Sequence, residues 1–176
     1  MKLDAIDRKL LEMLQLDCDT PIAELAAAVQ LSTTPCWRRI QRMKDAGVVT
    51  GNVALVDPKS VNVGVTVFVN IKTNQHSQAW FERFHATVEA IPEVVEFYRM
   101  SGEVDYLLRV VVPDIAAYDA FYKRLIGRIE ISKVSSAFAM EQIKYTTALP
   151  LDFALRAKTD KPERANGPRR AEGLRD

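Results

Sequence analysis

From Asp4 onward apolar residues recur at helical spacing, as Ile6, Leu10, Met13 and Leu14, with Asp7, Lys9 and Glu12 between them. That period predicts an amphipathic helix capped by Asp4 and ending near Asp17. Thr20-Pro21 then offers a cap and a proline suited to a first helical turn, and Ile22, Leu25, Ala26 and Val29 form the stripe of a second, shorter helix. After a break at Gln30-Leu31-Ser32, a third helix follows, capped by Ser32 or Thr33 and stopped by Gly47, with Cys36, Ile40 and Met43 on its inner side. Three short helices with a tight turn between the last two fit a helix-turn-helix, whose final helix enters the major groove of DNA. Residues 48–55 read as two short strands about Gly51-Asn52, a small wing.

The turn-rich Asp57-Pro58-Lys59-Ser60 marks a boundary, and the period changes beyond it. Residues 63–71 are a β-rich run. Ser77 caps a helix with Trp80, Phe81, Phe84, Val88 and Ile91 inside, and Pro92 ends it. Residues 94–100 and 106–112 are two further β-runs, Asp114 caps a helix bearing Ile115, Tyr118, Phe121, Tyr122 and Leu125, and 131–143 supply the last run. The order β-α-β-β-α-β predicts an α+β chain: an N-terminal winged helix-turn-helix and a C-terminal ferredoxin-like βαββαβ domain. Two helices cover one sheet face. The other, to which the pattern assigns Val67, Val69, Val110 and Phe138, is left to bury itself against a second copy, so a homodimer at least is expected. The division is 1–56 for the helical domain, 57–64 for a linker, 65–151 for the αβ domain and 152–176 for a charged, Pro- and Gly-containing tail expected to be disordered, with Arg169-Arg170 in it.

Composition narrows the class. With 48% hydrophobic and 27% charged residues the chain reads as soluble and globular. No run approaches the roughly 20 apolar residues of a membrane span, and acids interrupt the N-terminal pattern, unlike a signal peptide, so a cytoplasmic protein without a membrane partner is expected. Cys18 and Cys36 form no CxxC pair and His76 and His85 lie far from both, so neither a metal site nor a disulfide framework nor a cofactor is anticipated. No acid-base pair, nucleophile motif or phosphate loop stands out, which argues against an enzyme. The net charge of +1 does not advertise a nucleic-acid binder, but its distribution is uneven: Arg38, Arg39, Arg42 and Lys44 crowd into the third helix. Its outer side carries Thr33, Thr34, Trp37, Arg38, Gln41 and Arg42, with Arg39 beside them. Arginine can reach guanine edges or phosphates, threonine and a helix N-terminus suit phosphates, and Gln41 could read adenine, so double-stranded DNA is the expected partner. A merely solvated basic face, or a ferredoxin-like enzyme or small-molecule-binding protein without DNA, is the competing reading.

Four segments, LDAIDRKLLEMLQ, LSTTPCWRRIQRMKDAGVVTG, SGEVDYLLRVVVPD and VSSAFAMEQIKYTTALPL, in this order resemble the leucine-responsive regulatory protein/AsnC (feast/famine) family of transcription regulators. The resemblance implies dimers assembling into tetramers or octamers, and operator affinity tuned by a small amino-acid effector bound between αβ domains. It places the effector beside Ser101, Gly102 and Asp105. Gly102 lets backbone N–H groups approach a carboxylate, and Asp105 faces an ammonium group. Tyr98, Ile115, Ala137, Phe138 and Ala139 correspond to the pocket lining. On its own, the 101–105 segment reads as a polar hairpin turn. TTPCWRRIQRM and FAMEQIKYTTALPL are similar to the cysteine-responsive subgroup, which makes L-cysteine the expected effector, with another amino acid as the alternative. One departure is Ile129-Glu130-Ile131, where the family commonly has a Pro-Gly turn.

Overall fold

The computed structural model describes residues 1–154. They form two compact units, one of Met1–Val53 joined by the chain from Thr146, the other of Ala54–Tyr145. Most of the expected tail, Arg169 and Arg170 included, lies outside the described residues.

In the first unit, α1 (Ala5–Leu16), α2 (Ile22–Ala28) and α3 (Thr33–Asp45) pack through Leu10, Leu11, Leu25, Ala26, Cys36, Ile40 and Met43, the inner stripes of the three helices. The start of α1 is closed twice: the Asp4 carboxylate accepts from the Asp7 N–H at 2.8 Å, and the Asp7 carboxylate accepts from the Asp4 N–H at 3.2 Å. This is a capping box built with aspartate in the place usual for glutamate or glutamine. Thr20 does not cap α2. Its hydroxyl donates to the Asp17 carbonyl at 2.9 Å, and Pro21 holds the cap position without a side-chain bond. Gln30, at φ 57°, makes the turn into α3, and Gly47, at φ 69°, takes the left-handed conformation that ends it.

The expected wing is not built: no strand occurs between Asp45 and Val65, and Val53, Leu55 and Val56 are exposed. An isolated two-stranded hairpin has too little to pack on to hold itself together. The chain instead enters a turn in which the Asp57 carboxylate accepts from the Ser60 N–H and hydroxyl. The stretch 146–151, read from the sequence as the end of the αβ domain, lies with the first unit. There Leu149 exchanges two hydrogen bonds with the Gln15 side-chain amide, Leu151 packs on the helical core, and Asp152 pairs with Arg8 at 2.8 Å.

The second unit is a four-stranded antiparallel sheet of β1 (Val65–Lys72), β2 (Val94–Arg99), β3 (Tyr106–Val112) and β4 (Lys133–Phe138), in the order β2-β3-β1-β4, with α4 (Gln78–Glu89) and α5 (Ile115–Arg128). This is the ferredoxin-like arrangement. Ser77 and Asp114 cap the helices as their sequences predict. Val67, Val69, Ile71, Leu108 and Val110 bury fully with Trp80, Phe84, Phe121 and Leu125. Val67, Val69 and Val110 therefore belong to the helix-covered face, and Phe138 lies edge-on to Tyr118 of α5. The uncovered face consists of the alternate positions, among them Phe68, Tyr98, Leu107 and Val111. β4 is shorter than the 131–143 run because β1 starts at Val65. Once Ala139 has donated to the Thr66 carbonyl, only Val65 of β1 remains.

Candidate DNA interface and effector site

α3 splits the predicted DNA-contact residues into two groups. Thr33, Thr34, Trp37 and Arg38 are exposed, and the first turn holds no acid. Arg38 has no ion-pair or hydrogen-bond partner among the described residues. Its guanidinium is free to meet a phosphate or a base edge. Gln41 is partly occupied, donating to the Asp45 carboxylate at 3.0 Å.

The second group faces α1. One Arg39 nitrogen donates to Asp4 at 2.6 Å and to Asp7 at 2.8 Å, and Arg42 donates to both Asp7 oxygens, at 3.1 and 2.9 Å. The Asp7 side chain is fully buried, with 0% exposure, whereas those of Arg39 and Arg42 keep 26% and 53%. Asp4 is held below the ordinary aspartate range first by the Asp7 N–H and then by Arg39, and those carboxylates in turn raise the Arg39 guanidinium. Asp7, which holds both arginines, is the residue of this cluster that the sequence pattern misses. Its signal was the Asp4/Asp7 pair at capping-box spacing, which marks the helix start but does not show what packs over it.

The predicted effector residues also separate. Ser101, Gly102 and Asp105 form the β2–β3 hairpin, where Gly102 has φ 120°, a conformation reserved in practice for glycine. Asp105 fixes this hairpin to β1: its carboxylate accepts from the Thr73 N–H at 2.8 Å and its own N–H donates to the Ile71 carbonyl at 3.0 Å. Glu103 pairs with Lys72, and the two line a cavity of about 190 Å³ with Asn70, Val104, Lys133 and Ser135. Ile115 and Phe138 instead line a hollow of about 330 Å³ against α5 with Tyr118, Asp119, Tyr122 and Ser136, where the Tyr118 and Ser136 hydroxyls are hydrogen-bonded. Ala137 and Ala139 flank Phe138 along the chain, while Tyr98 sits on β2 with its hydroxyl on Glu96.

Phe138 lies opposite Val67 and Tyr106 opposite Ile71. The hairpin and the Phe138 end of β4 are thus about 13 Å apart along β1. Neither of these two cavities contains all the predicted residues. Among the described residues no group of His, Cys, Asp and Glu is placed to hold a metal ion, and no helix is long and apolar enough to cross a membrane.

Comparison with known proteins finds a family model for each part of the chain. Residues 3–44 match the AsnC-type helix-turn-helix domain and residues 66–149 the Lrp/AsnC ligand binding domain. The DNA-binding transcriptional activator DecR of Escherichia coli K12 is 54% identical over 151 residues, 85% of this chain and 99% of its own length. A crystal structure of an AsnC family transcriptional regulator from Agrobacterium tumefaciens superposes with a TM-score of 0.83 at 66% identity, covering 86% of this chain and 99% of that one. A transcriptional regulator of Neisseria meningitidis solved as an L-Met complex superposes at 0.82 with 36% identity, covering 86% and 98%.

Proposed function

The chain belongs to the Lrp/AsnC family of transcription regulators, and from that membership we propose how it reads DNA and senses an amino acid. It is a DNA-binding regulator with a ligand-binding domain of the family type, not an enzyme. The observation carrying the contact assignment is the unpartnered Arg38 on the exposed, acid-free start of α3. Thr33, Thr34 and the α3 N-terminus meet phosphates, Arg38 and Trp37 reach the groove edges, and Gln41 reads a base once Asp45 releases it. Arg42, half exposed, is held by Asp7 together with Arg39.

The effector is a small amino acid, L-cysteine first, bound between the αβ units of two chains in the cytoplasm. Its carboxylate lies on N–H groups around Gly102 and its ammonium on Asp105. A second chain supplies the apolar lining from the Phe138 end of β4, because within one chain the two ends stand too far apart. Support for the ligand class comes from the L-Met complex of the Neisseria relative; support for cysteine comes from the TTPCWRRIQRM and FAMEQIKYTTALPL segments. Another amino acid remains the competing effector within the same site. Domains 1–56 and 65–151 joined by linker 57–64, paired through the uncovered sheet face into dimers and then tetramers or octamers, complete the reading.

A thermal-shift screen over the free amino acids tests the effector, because a ligand that binds the native state raises its stability. The largest rise is expected with L-cysteine, and a larger one with another amino acid reassigns the effector. For the DNA face, Arg38→Ala should weaken operator binding by roughly 1 to 3 kcal/mol with the oligomer intact. Unchanged affinity in a mobility-shift titration at fixed salt removes Arg38 from the interface.

A further inference from the structure

The recognition helix is held by a carboxylate that no water reaches. Asp7 has 0% exposure, and its two oxygens take up Arg39, Arg42 and the Asp4 N–H. A buried carboxylate is tolerated when paired and hydrogen-bonded, and Asp7 receives one nitrogen from each of two arginines. Arg39 and Arg42 lie a turn apart on α3, so anchoring both to one point of α1 sets the rotation of α3 about its axis.

The charge count shifts with it. Of the four cations in α3, the clamp neutralises Arg39 and Arg42 and leaves Arg38 and Lys44 unpaired among the described residues. Cations that meet phosphates add sequence-independent affinity and a steeper dependence on salt; cations tied to a carboxylate do not.

We propose that Asp7 is a positioning and specificity-determining residue: by holding Arg39 and Arg42 against α1 it fixes the presentation of Thr33, Trp37 and Arg38 and withholds two charges from non-specific phosphate contact. This rests on the reading of α3 as the DNA-contacting helix. Asp7 touches no DNA. It acts through the two arginines, trading indiscriminate attraction for selectivity.

The test uses the full chain, a duplex that the protein itself enriches from a random-sequence pool, and a scrambled duplex of equal length, each titrated across a salt series. Asp7→Asn keeps the shape and the acceptor for the Asp4 N–H but removes the charge. It is expected to raise affinity for the scrambled duplex, steepen that duplex's salt dependence by about one to two in log–log slope, and lower the enriched-to-scrambled ratio at least tenfold. An unchanged ratio and slope in a folded Asp7→Asn protein overturns the proposal. Should that variant fail to fold, Arg39→Gln decides: it is expected to weaken the enriched duplex several-fold while leaving the scrambled duplex's salt slope as it was. A slope flattened by about one makes Arg39 a phosphate contact and sinks the clamp. Arg38→Gln separates the two layers of inference, since that substitution should flatten the slope by about one, and no effect on either duplex refutes the α3 reading itself.

Discussion

Asp105, proposed to meet the effector's ammonium group, also serves the fold. Its Oδ2 accepts from the N–H of Thr73, a residue only 5% exposed, so Asp105→Ala strands a donor that water hardly reaches. That loss should cost about 1 to 3 kcal/mol by urea denaturation, confounding any simple binding test. Asp105→Asn keeps an acceptor oxygen there and removes only the charge. It should stay within about 1 kcal/mol of wild-type stability while calorimetry with the effector shows no heat; retained heat excludes the ammonium role. Asp4 carries a different signature. Its folded pKa lies below the ordinary 3.8, held there by the Asp7 N–H and Arg39, so the stability it contributes is present above 3.8 and disappears as pH falls through the folded value. The gap in thermal midpoint between wild type and Asp4→Asn should therefore be constant near neutrality and shrink only below about pH 4. Asp7 itself reads in the sequence as one more polar position on α1. What buries it are arginines 32 and 35 residues further on, a long-range fact that a helical period cannot carry.

Among the elements, those announced by a cap and a long apolar period were legible before any coordinates. Asp114 is one such announcement: its carboxylate accepts from the Ala117 N–H at 2.8 Å and starts α5. Asp114→Ala should lower stability by about 1 kcal/mol in thermal unfolding and leave the affinity for DNA unchanged at fixed salt. The wing and the far end of β4 were misread for a common reason. A strand needs a neighbour's backbone, and neither residues 48–55 nor residues beyond Ala139 have one available. β1 was found, but not its orientation. Its sequence VTVFVNIK is apolar on both sides at its centre, so alternation groups Val67 with Val69 without telling which side the helices cover.

That orientation governs the whole molecule. With Val67 and Val69 buried beneath α4 and α5, the face proposed for self-association is the opposite one, where Phe68 is 38% and Tyr98 49% exposed beside the Glu96–Arg109 pair. Phe68→Asp should leave the circular dichroism spectrum native and reduce the assembly in light scattering to a smaller species; an unchanged mass moves the interface elsewhere. The effector site, as proposed, has the same dependence on assembly. The residues expected at the effector pocket fall into two groups, one at the β2–β3 hairpin and one at the Phe138 end of β4, a separation that local periodicity does not reveal. On the proposed reading, the hairpin of one copy and the Phe138 end of β4 of another form the pocket together.

The closing of the first unit by the last described residues also has a timetable. Gln15 and Leu149 are 134 residues apart in the chain, and Leu151 completes a core whose other members all precede it. On the ribosome, at about 5 to 20 residues per second, α1 waits on the order of ten seconds for the segment that seals it. A nascent chain thus holds its three helices long before it holds their clasp. A polypeptide released early, after Tyr145 for example, carries the three helices without the Gln15–Leu149 hydrogen bonds and the Leu151 packing.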